Sequence, residues 1–455
     1  MNETIVAIST PLAPAGLGVV RLSGEDAPAI ADKLFRPLNG SRTPSALPGY
    51  TAAYGHVFDE AGDIDDAVAL VFRAPHSYTG ENVVELSCHG GLYLLQRTVR
   101  AAVNAGARPA QAGEFTKRAF LNGKMDLTGA DAVMDLIGAK GELAAKAALA
   151  AREGATFRAL AAVKADLLAI AAQAAAYVDY PYEDIPELEP AALTDTLFAA
   201  DKALSSLLST FDAGKLLREG VSTAIVGSPN AGKSTLMNYL VGCERSIVTD
   251  EAGTTRDIVE ETVRFGEITL RLADTAGIRE TDNRAESIGV QKALSQMETA
   301  SLVLAVFDGS RPLTEDDRAL AQRAAAHPPA IAVLNKSDLG VSDDAFLRSL
   351  FPEVVTLSAK TGDGIDTLSA AVSRVTGLAA LTGDEAILST ERQRAAAIEA
   401  LEAVRRAADA AQAGLTPDLI GADVDDAIAA IAALTGEKVS EAVVNEVFSR
   451  FCVGK

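Results

Sequence analysis

The segment Gly227-Ser-Pro-Asn-Ala-Gly-Lys-Ser-Thr235 decides how this chain is read. It has the form G-x-x-x-x-G-K-[ST]. The apolar run 221–226 precedes it as a buried strand, and a helical stretch opens near Leu236. That strand–loop–helix setting is what a phosphate loop requires. The glycines let the backbone close around an anion, so that successive N–H groups and a helix N-terminus face the phosphates. Lys233 adds a point charge near the β- and γ-phosphates, and Ser234 offers a hydroxyl to Mg2+.

Further motifs follow in order. Asp274-Thr-Ala-Gly277 closes the strand-like run 268–273 and has the form of a switch that holds Mg2+ and senses the γ-phosphate. Asn335-Lys-Ser-Asp338 closes the run 330–334. Its aspartate accepts from the ring N1–H and the exocyclic amine of guanine, a pattern adenine does not offer. Ser358-Ala-Lys360 closes 354–357 and supports the base from the other side. Thr254-Thr255 lies between the first two motifs, and Thr255 supplies the switch hydroxyl for Mg2+. Any one of these alone is an ordinary βα loop; the ordered set implies GTP. The expected nucleotide contacts are Asn230, Ala231, Gly232, Lys233, Ser234 and Thr235; then Thr249, Asp250, Glu251, Ala252, Gly253, Thr254 and Thr255; then Asp274, Thr275, Ala276 and Gly277; and finally Asn335, Lys336, Asp338, Ser358, Ala359 and Lys360.

Composition bounds the rest. With 455 residues, the chain is long enough for two to four domains. No apolar run reaches the roughly 18 residues of a membrane span, and the start, MNETIVAIST, has no signal-peptide pattern. Cys88, Cys243 and Cys452 are scattered without a C-x-x-C, which argues against a disulfide framework and fits a reducing cytoplasm. The formal charge of −21 argues against broad nonspecific nucleic-acid binding. An RNA substrate would need a local basic patch or a partner protein. Few aromatics and no Trp disfavour a single-strand stacking platform.

Texture divides the chain at about 120, 215 and 381. Residues 1–120 carry strand-like runs at 4–8, 18–22, 67–72 and 83–87, with turns at 44–49 and 75–80, as an α+β domain does. Residues 121–215 are Ala/Leu-rich. Leu160, Val163, Leu167 and Ile170 share one helix face, and Tyr180-Pro-Tyr-Glu-Asp-Ile-Pro186 breaks the helical texture. Residues 216–381 are the nucleotide domain. Helical texture resumes over 382–455, where Ile398, Leu401 and Val404 share a face, as do Val424, Ile428 and Ile431. The expected fold is an α/β P-loop GTPase domain inserted in an all-helical domain and preceded by an α+β N-terminal domain; two separate helical bundles are the alternative.

With the motifs placed, the whole chain resembles the MnmE (TrmE) family of tRNA modification GTPases. The resemblance is carried by Thr4-Ile-Val-Ala7, Gly18-Val-Val-Arg-Leu-Ser-Gly24, Ser77-Tyr-Thr-Gly-Glu-Asn-Val-Val-Glu85, Cys88-His-Gly-Gly91, Gly113-Glu-Phe-Thr-Lys-Arg-Ala-Phe-Leu-Asn-Gly-Lys124 and the terminal Phe451-Cys-Val-Gly-Lys455. It implies a homodimer that acts with the FAD-containing flavoprotein MnmG (GidA), in a heterotetramer or larger complex, on C5 of the wobble uridine of certain tRNAs, with a tetrahydrofolate derivative (5-formyl or methylene) as one-carbon donor. It makes the N-terminal domain folate-binding and dimerising, with folate contacts at Arg21, Glu85, Lys124 and Lys455. On that reading Glu85 accepts paired donors from the pterin, while Arg21 or Lys124 faces the carboxylate tail. The loop Pro11-Leu-Ala-Pro-Ala-Gly16 departs from the family's Gly/Arg-rich form. Cys452 reads either as a reactive thiol beside this site or as a small buried residue at a packed terminus; the latter is the expectation.

The position after Gly277, where Ras-like enzymes orient water with Gln, holds Ile278. The resemblance offers two other devices. One is a K+ ion on Asn230, Thr249, Thr254 and the carbonyl of Glu251, in the place an arginine finger takes elsewhere; the other is Glu286, which would orient water. It also implies G domains that dimerise across the nucleotide. The competing readings are a regulatory GTPase of ribosome assembly, for which the chain lacks a basic RNA-binding module, and a folate-binding aminomethyl-transfer protein with a structural nucleotide.

Overall fold

The computed structural model describes residues 3–38, 42–179, 190–243, 261–272, 297–327, 329–340 and 345–454. The expected switch contacts at 249–255 and 274–277, together with Glu286 and Lys455, lie outside the described residues. Two compact units divide the chain: one holds residues 1–134 with 432–455, the other residues 135–431.

In the first unit, seven strands pair in the order β3-β4-β5-β6-β2-β1-β7. They are β1 (Ile5–Ile8), β2 (Ala15–Ser23), β3 (Phe35–Pro37), β4 (Thr51–Asp59), β5 (Gly62–Phe72), β6 (Val83–Gly90) and β7 (Arg108–Pro109). Alternation places Val20, Leu22, Val57, Ala69, Val71, Val84 and Leu86 in one core, where helix Leu92–Asn104 adds Leu95 and Ala102. Alternation also aims Arg21 and Glu85, directly opposite each other on β2 and β6, to the other face.

The quoted N-terminal blocks turn out to lock onto one another. Arg118, 7% exposed, donates to both oxygens of Glu81, to Glu114 Oε1 and to the carbonyl of Glu3. Ser23 bonds Thr79 and Glu81, and Asn122 donates to the Thr79 carbonyl. Buried charge is tolerated there because every partner is in place.

The C-terminal residues 432–455 belong to this unit. Phe448 packs against Phe120 and Phe451, with ring centroids 6.1 and 5.1 Å away, and Val453 bridges Ala112. Cys452 is exposed, which corrects the buried reading. Its carbonyl accepts from Gly113 N, so the main chain is held while the thiol faces outward. Gly454 has φ +98°, and a Cβ there would run into the Ile8 carbonyl. Gly454→Val should therefore lower the melting temperature of the N-terminal unit through strain of about 1–3 kcal/mol plus the clash; unchanged melting would show that the terminus detaches at no cost.

The second unit contains a six-stranded sheet in the order β13-β12-β11-β8-β10-β9, made of β8 (Val221–Gly227), β9 (Glu261–Phe265), β10 (Ile268–Leu272), β11 (Leu302–Asp308), β12 (Ala330–Asn335) and β13 (Glu353–Thr356). All pairs are parallel except β9 with β10. Every residue of β11 and β12 is buried, as parallel strands covered on both faces require. β8 lies between β11 and β10, so the chain leaving it opens at a topological switch point.

Helices flank this domain in sequence and pack on each other. Leu193, Leu197, Ala200 and Leu204 of Pro190–Ser209 meet the helix Glu391–Gln412, whose buried stripe is Ala396, Ala397, Ala400, Leu401, Ala403, Val404 and Ala407. Alanine, more than the expected Ile398 (half-buried), forms that stripe, because small side chains let helix axes approach. The chain entering the nucleotide domain lies against the chain leaving it: Leu388 N donates to Thr210 Oγ1 and Lys215 pairs with Glu391 at 3.0 Å. An insertion needs that proximity.

The helix Ala155–Asp179 buries Leu160, Val163, Leu167 and Ile170 on one face, as expected. Over Ala155–Tyr177 its mean hydropathy reaches 1.5, so by length and composition it is apolar enough to cross a membrane even without an unbroken apolar run. Much of that apolarity is alanine.

Candidate nucleotide site

The phosphate loop leaves β8 at Gly227, where a Cβ would meet the Val306 carbonyl of the adjacent strand. Asn230 takes φ +62° and Gly232 φ +96°, which curl the loop before the helix Lys233–Cys243 begins. Asparagine tolerates the left-handed region better than most residues. The Lys233 ammonium donates to the carbonyls of Gly227 and Ser228 at 2.8 and 2.9 Å, and burial pushes its pKa down. Asn230, Ser234 and Thr235 are exposed at the mouth of the loop, while Ala231 is buried beneath it. The exposed Ser234 hydroxyl on the first helical turn suits a Mg2+ ligand.

The guanine motifs meet the loop from the side. Asn335 is 2% exposed; its Nδ2 donates to Ala231 O at 3.0 Å and its Oδ1 accepts from Ala359 N at 2.9 Å. Its carboxamide thus ties the phosphate loop to the Ser358-Ala-Lys360 loop. A Cβ on Gly232 would strike the Asn335 amide, a second reason for glycine there. Asp338 is exposed, and its Oδ1 accepts from the fully buried Ser358 hydroxyl at 2.8 Å. One carboxylate edge is thereby fixed. Ala359 N–H is engaged by Asn335, and Lys360 is exposed.

Two braces of this site, Asp308 and Asp317, stand outside the motifs. Lys336, at φ +66°, reaches Asp308 Oδ2 at 2.7 Å. Burial opposes ionisation of Asp308, but bonds from Lys336 and Ser310 outweigh it and hold the carboxyl below its usual range. Ser228 donates to Asp317 Oδ1 at 2.6 Å across 89 positions. The sequence signal for Asp317 is the capping pattern Thr314-x-x-Asp317, which marks a helix start and says nothing of the loop it reaches.

In the other unit, the expected folate contacts are brought partly together. Arg21 Nε donates to Glu85 Oε1 at 2.8 Å, and its guanidinium lies 5.6 Å from the rings of Tyr78 and Phe115. Arg21 Nη1 also faces the Gly454 carbonyl at 3.4 Å. One oxygen of Glu85 is therefore engaged within the protein, because the strand register sets it opposite Arg21. Lys124 Nζ donates to Pro75 O at 3.0 Å, and its stem lies beside Gly80. Arg21 and Lys124 thus border the same turn, residues 75–80. Cys88 is buried behind this sheet, and desolvation raises its thiol to about 12. No group of metal-ligating side chains occurs among the described residues.

A phosphate loop at a switch point, braced by Asn-Lys-x-Asp and Ser-Ala-Lys loops, defines a P-loop GTP hydrolase. Family models place it further: GTP-binding protein TrmE N-terminus matches residues 4–124 and the MnmE helical domain matches residues 127–452, spanning the nucleotide domain. The chain belongs to the MnmE family. Relatives named tRNA modification GTPase MnmE include those of Symbiobacterium thermophilum (41% identical over 466 residues, 100% of each chain), Chloroflexus aurantiacus (41% over 463, 100% of each) and Enterococcus faecalis (39% over 461, 100% of this chain and 98% of that one). Among solved structures, a variant of Aquifex aeolicus Era bound to GDP.AlF4- aligns at 28% identity over 40% of this chain and 66% of its own, with a TM-score of 0.26.

Proposed function

We propose that this protein is a GTP hydrolase acting in tRNA modification: a potassium-activated GTPase that works with the flavoprotein MnmG on C5 of the wobble uridine, in the cytoplasm, as a homodimer. The single observation that carries the GTPase reading is the buried Asn335 bridge, which joins the phosphate loop to the loop that orients Asp338. The tRNA role is supported by full-length similarity to relatives of that name. The domain division proposed is 1–120, 121–215, 216–381 and 382–455, with the nucleotide domain inserted in the helical one.

Lys233 and the loop N–H groups would hold the phosphates, and Asp338 would read the base. Mg2+ on Ser234 and Thr255 would neutralise phosphate charge. K+ on Asn230, Thr249, Glu251 and Thr254 would supply the cation that an arginine finger gives elsewhere. Glu286 would orient water. The half-buried Arg21–Glu85 pair, flanked by Tyr78, offers a guanidinium and a carboxylate oxygen to a tetrahydrofolate, and Lys124 and Lys455 are the further contacts of this reading.

GTP turnover in KCl and in NaCl at equal ionic strength tests this reading. A rise of about 10²-fold only in K+ is expected, the size of a charge-stabilising contact in the transition state. Equal rates would leave the GTPase and remove the potassium site.

A further inference from the structure

The phosphate loop is held from one side by a buried carboxylate that no nucleotide motif contains. Asp317 is the third residue of the helix Glu315–Ala325 and is 1% exposed. Its Oδ2 accepts from Thr314 N at 3.0 Å, Thr314 Oγ1 at 2.8 Å and Arg311 Nη1 at 3.0 Å. A capping box, completed by Asp317 N donating to Thr314 Oγ1, accounts for the bond from Thr314 N. It does not account for Oδ1, which turns away from the helix and accepts from Ser228 Oγ at 2.6 Å. Ser228 is the residue after Gly227, and its carbonyl is one of the two that receive the Lys233 ammonium. Arg311 also stands 3.9 Å from Asp308, the partner of Lys336. A line of charged and hydroxyl groups therefore runs from the guanine tetrad to the phosphate loop.

An ionised carboxylate out of water is tolerated only with full partnership. Burial opposes ionisation of Asp317, and its hydrogen bonds, first that from Ser228, outweigh this and hold the carboxyl below its usual range. The bond to Ser228 is thus charge-assisted, and it fixes the side chain of a loop residue whose main chain aims Lys233.

We propose that Asp317 is a positioning residue of the nucleotide site, acting through Ser228 to set the phosphate loop and the Lys233 ammonium. The inference rests on the guanine-nucleotide reading and adds a pair that no motif names.

The test uses full-length Ser228→Ala, Ser228→Thr, Asp317→Ala and the double variant Ser228→Ala/Asp317→Ala, titrated with fluorescent mant-GDP and mant-GTP and assayed for GTP turnover. Ser228→Ala should bind both nucleotides about tenfold more weakly, the size of one hydrogen bond to a charged group, and should also lower the melting temperature of the nucleotide-free chain, because Asp317 Oδ1 loses that partner while buried. Ser228→Thr retains the hydroxyl and should restore affinity, which a purely structural contact would not require. The double variant should lose less than the sum of the single losses. Should Asp317→Ala fail to fold for loss of its cap, the Ala/Thr pair at 228 decides alone. Wild-type affinity and turnover in Ser228→Ala, or equal losses in Ser228→Ala and Ser228→Thr, would overturn the proposal. Failure of the wild-type chain to bind mant-GDP would instead refute the guanine-nucleotide reading, and this inference with it.

Discussion

Asp338→Asn will lower GTP affinity by about 10²–10⁴-fold, because two charge-assisted hydrogen bonds to the base are lost or reversed. The carboxylate presents two acceptors, and Ser358 fixes its orientation by donating to Oδ1 at 2.8 Å. Guanine offers two donors, at N1 and at the exocyclic amine. An asparagine carboxamide has one acceptor and one donor group, so one of its atoms faces a like partner. Xanthine carries a carbonyl where guanine carries the amine, and the variant amide can donate to it. Binding of mant-GTP and mant-XTP to both chains measures the exchange: the variant should favour the xanthine nucleotide. A variant that still prefers GTP would show that Asp338 does not read the base.

The second large effect is expected at Asn335. Asn335→Ala removes both halves of a buried bridge and leaves the Ala231 carbonyl and the Ala359 N–H without their partner. Each buried group left unmade costs about 1–3 kcal/mol. A total of about 2–6 kcal/mol is a large share of the roughly 5–15 kcal/mol that holds an ordinary domain together. Thermal unfolding of the nucleotide-free chain should show the nucleotide-domain transition several degrees lower, and nucleotide affinity should fall with it. Asn335→Asp keeps the acceptor for Ala359 N but sets a buried carboxylate oxygen against the Ala231 carbonyl, so it should destabilise at least as much as Asn335→Ala. Unaltered melting of Asn335→Ala would mean that the two loops hold their positions independently.

Both predictions concern residues that the sequence names, yet their roles were not equally legible. Asp338 was assigned to the base, and its outward placement beside Ser358 suits that role. Asn335 belongs to the same tetrad, but its side chain turns inward and braces loops 104 and 24 positions away. The N-terminal blocks show the same divergence. Glu81, Glu114 and Arg118 stand inside the segments that carry the family resemblance, and they bind one another within the protein. Arg21 and Glu85, chosen as ligand contacts, also pair across neighbouring strands. Cys452 was expected to be buried and is exposed, since the packing of Phe451 and Gly454 on either side of it fixes the backbone and not the thiol.

The nucleotide class, the order of its motifs and the family could all be read from the residues alone. Those features are local: a loop that wraps an anion with its backbone, or a tetrad that reads a base with one carboxylate, is built from a few consecutive residues. Three other features needed the folded chain: the C-terminal segment packs with the N-terminal sheet, Asn335 fastens two loops, and Asp317 holds Ser228. They depend on side chains brought together by strand order and helix packing from distant parts of the chain. A buried polar group takes whichever partner the fold sets within hydrogen-bond reach.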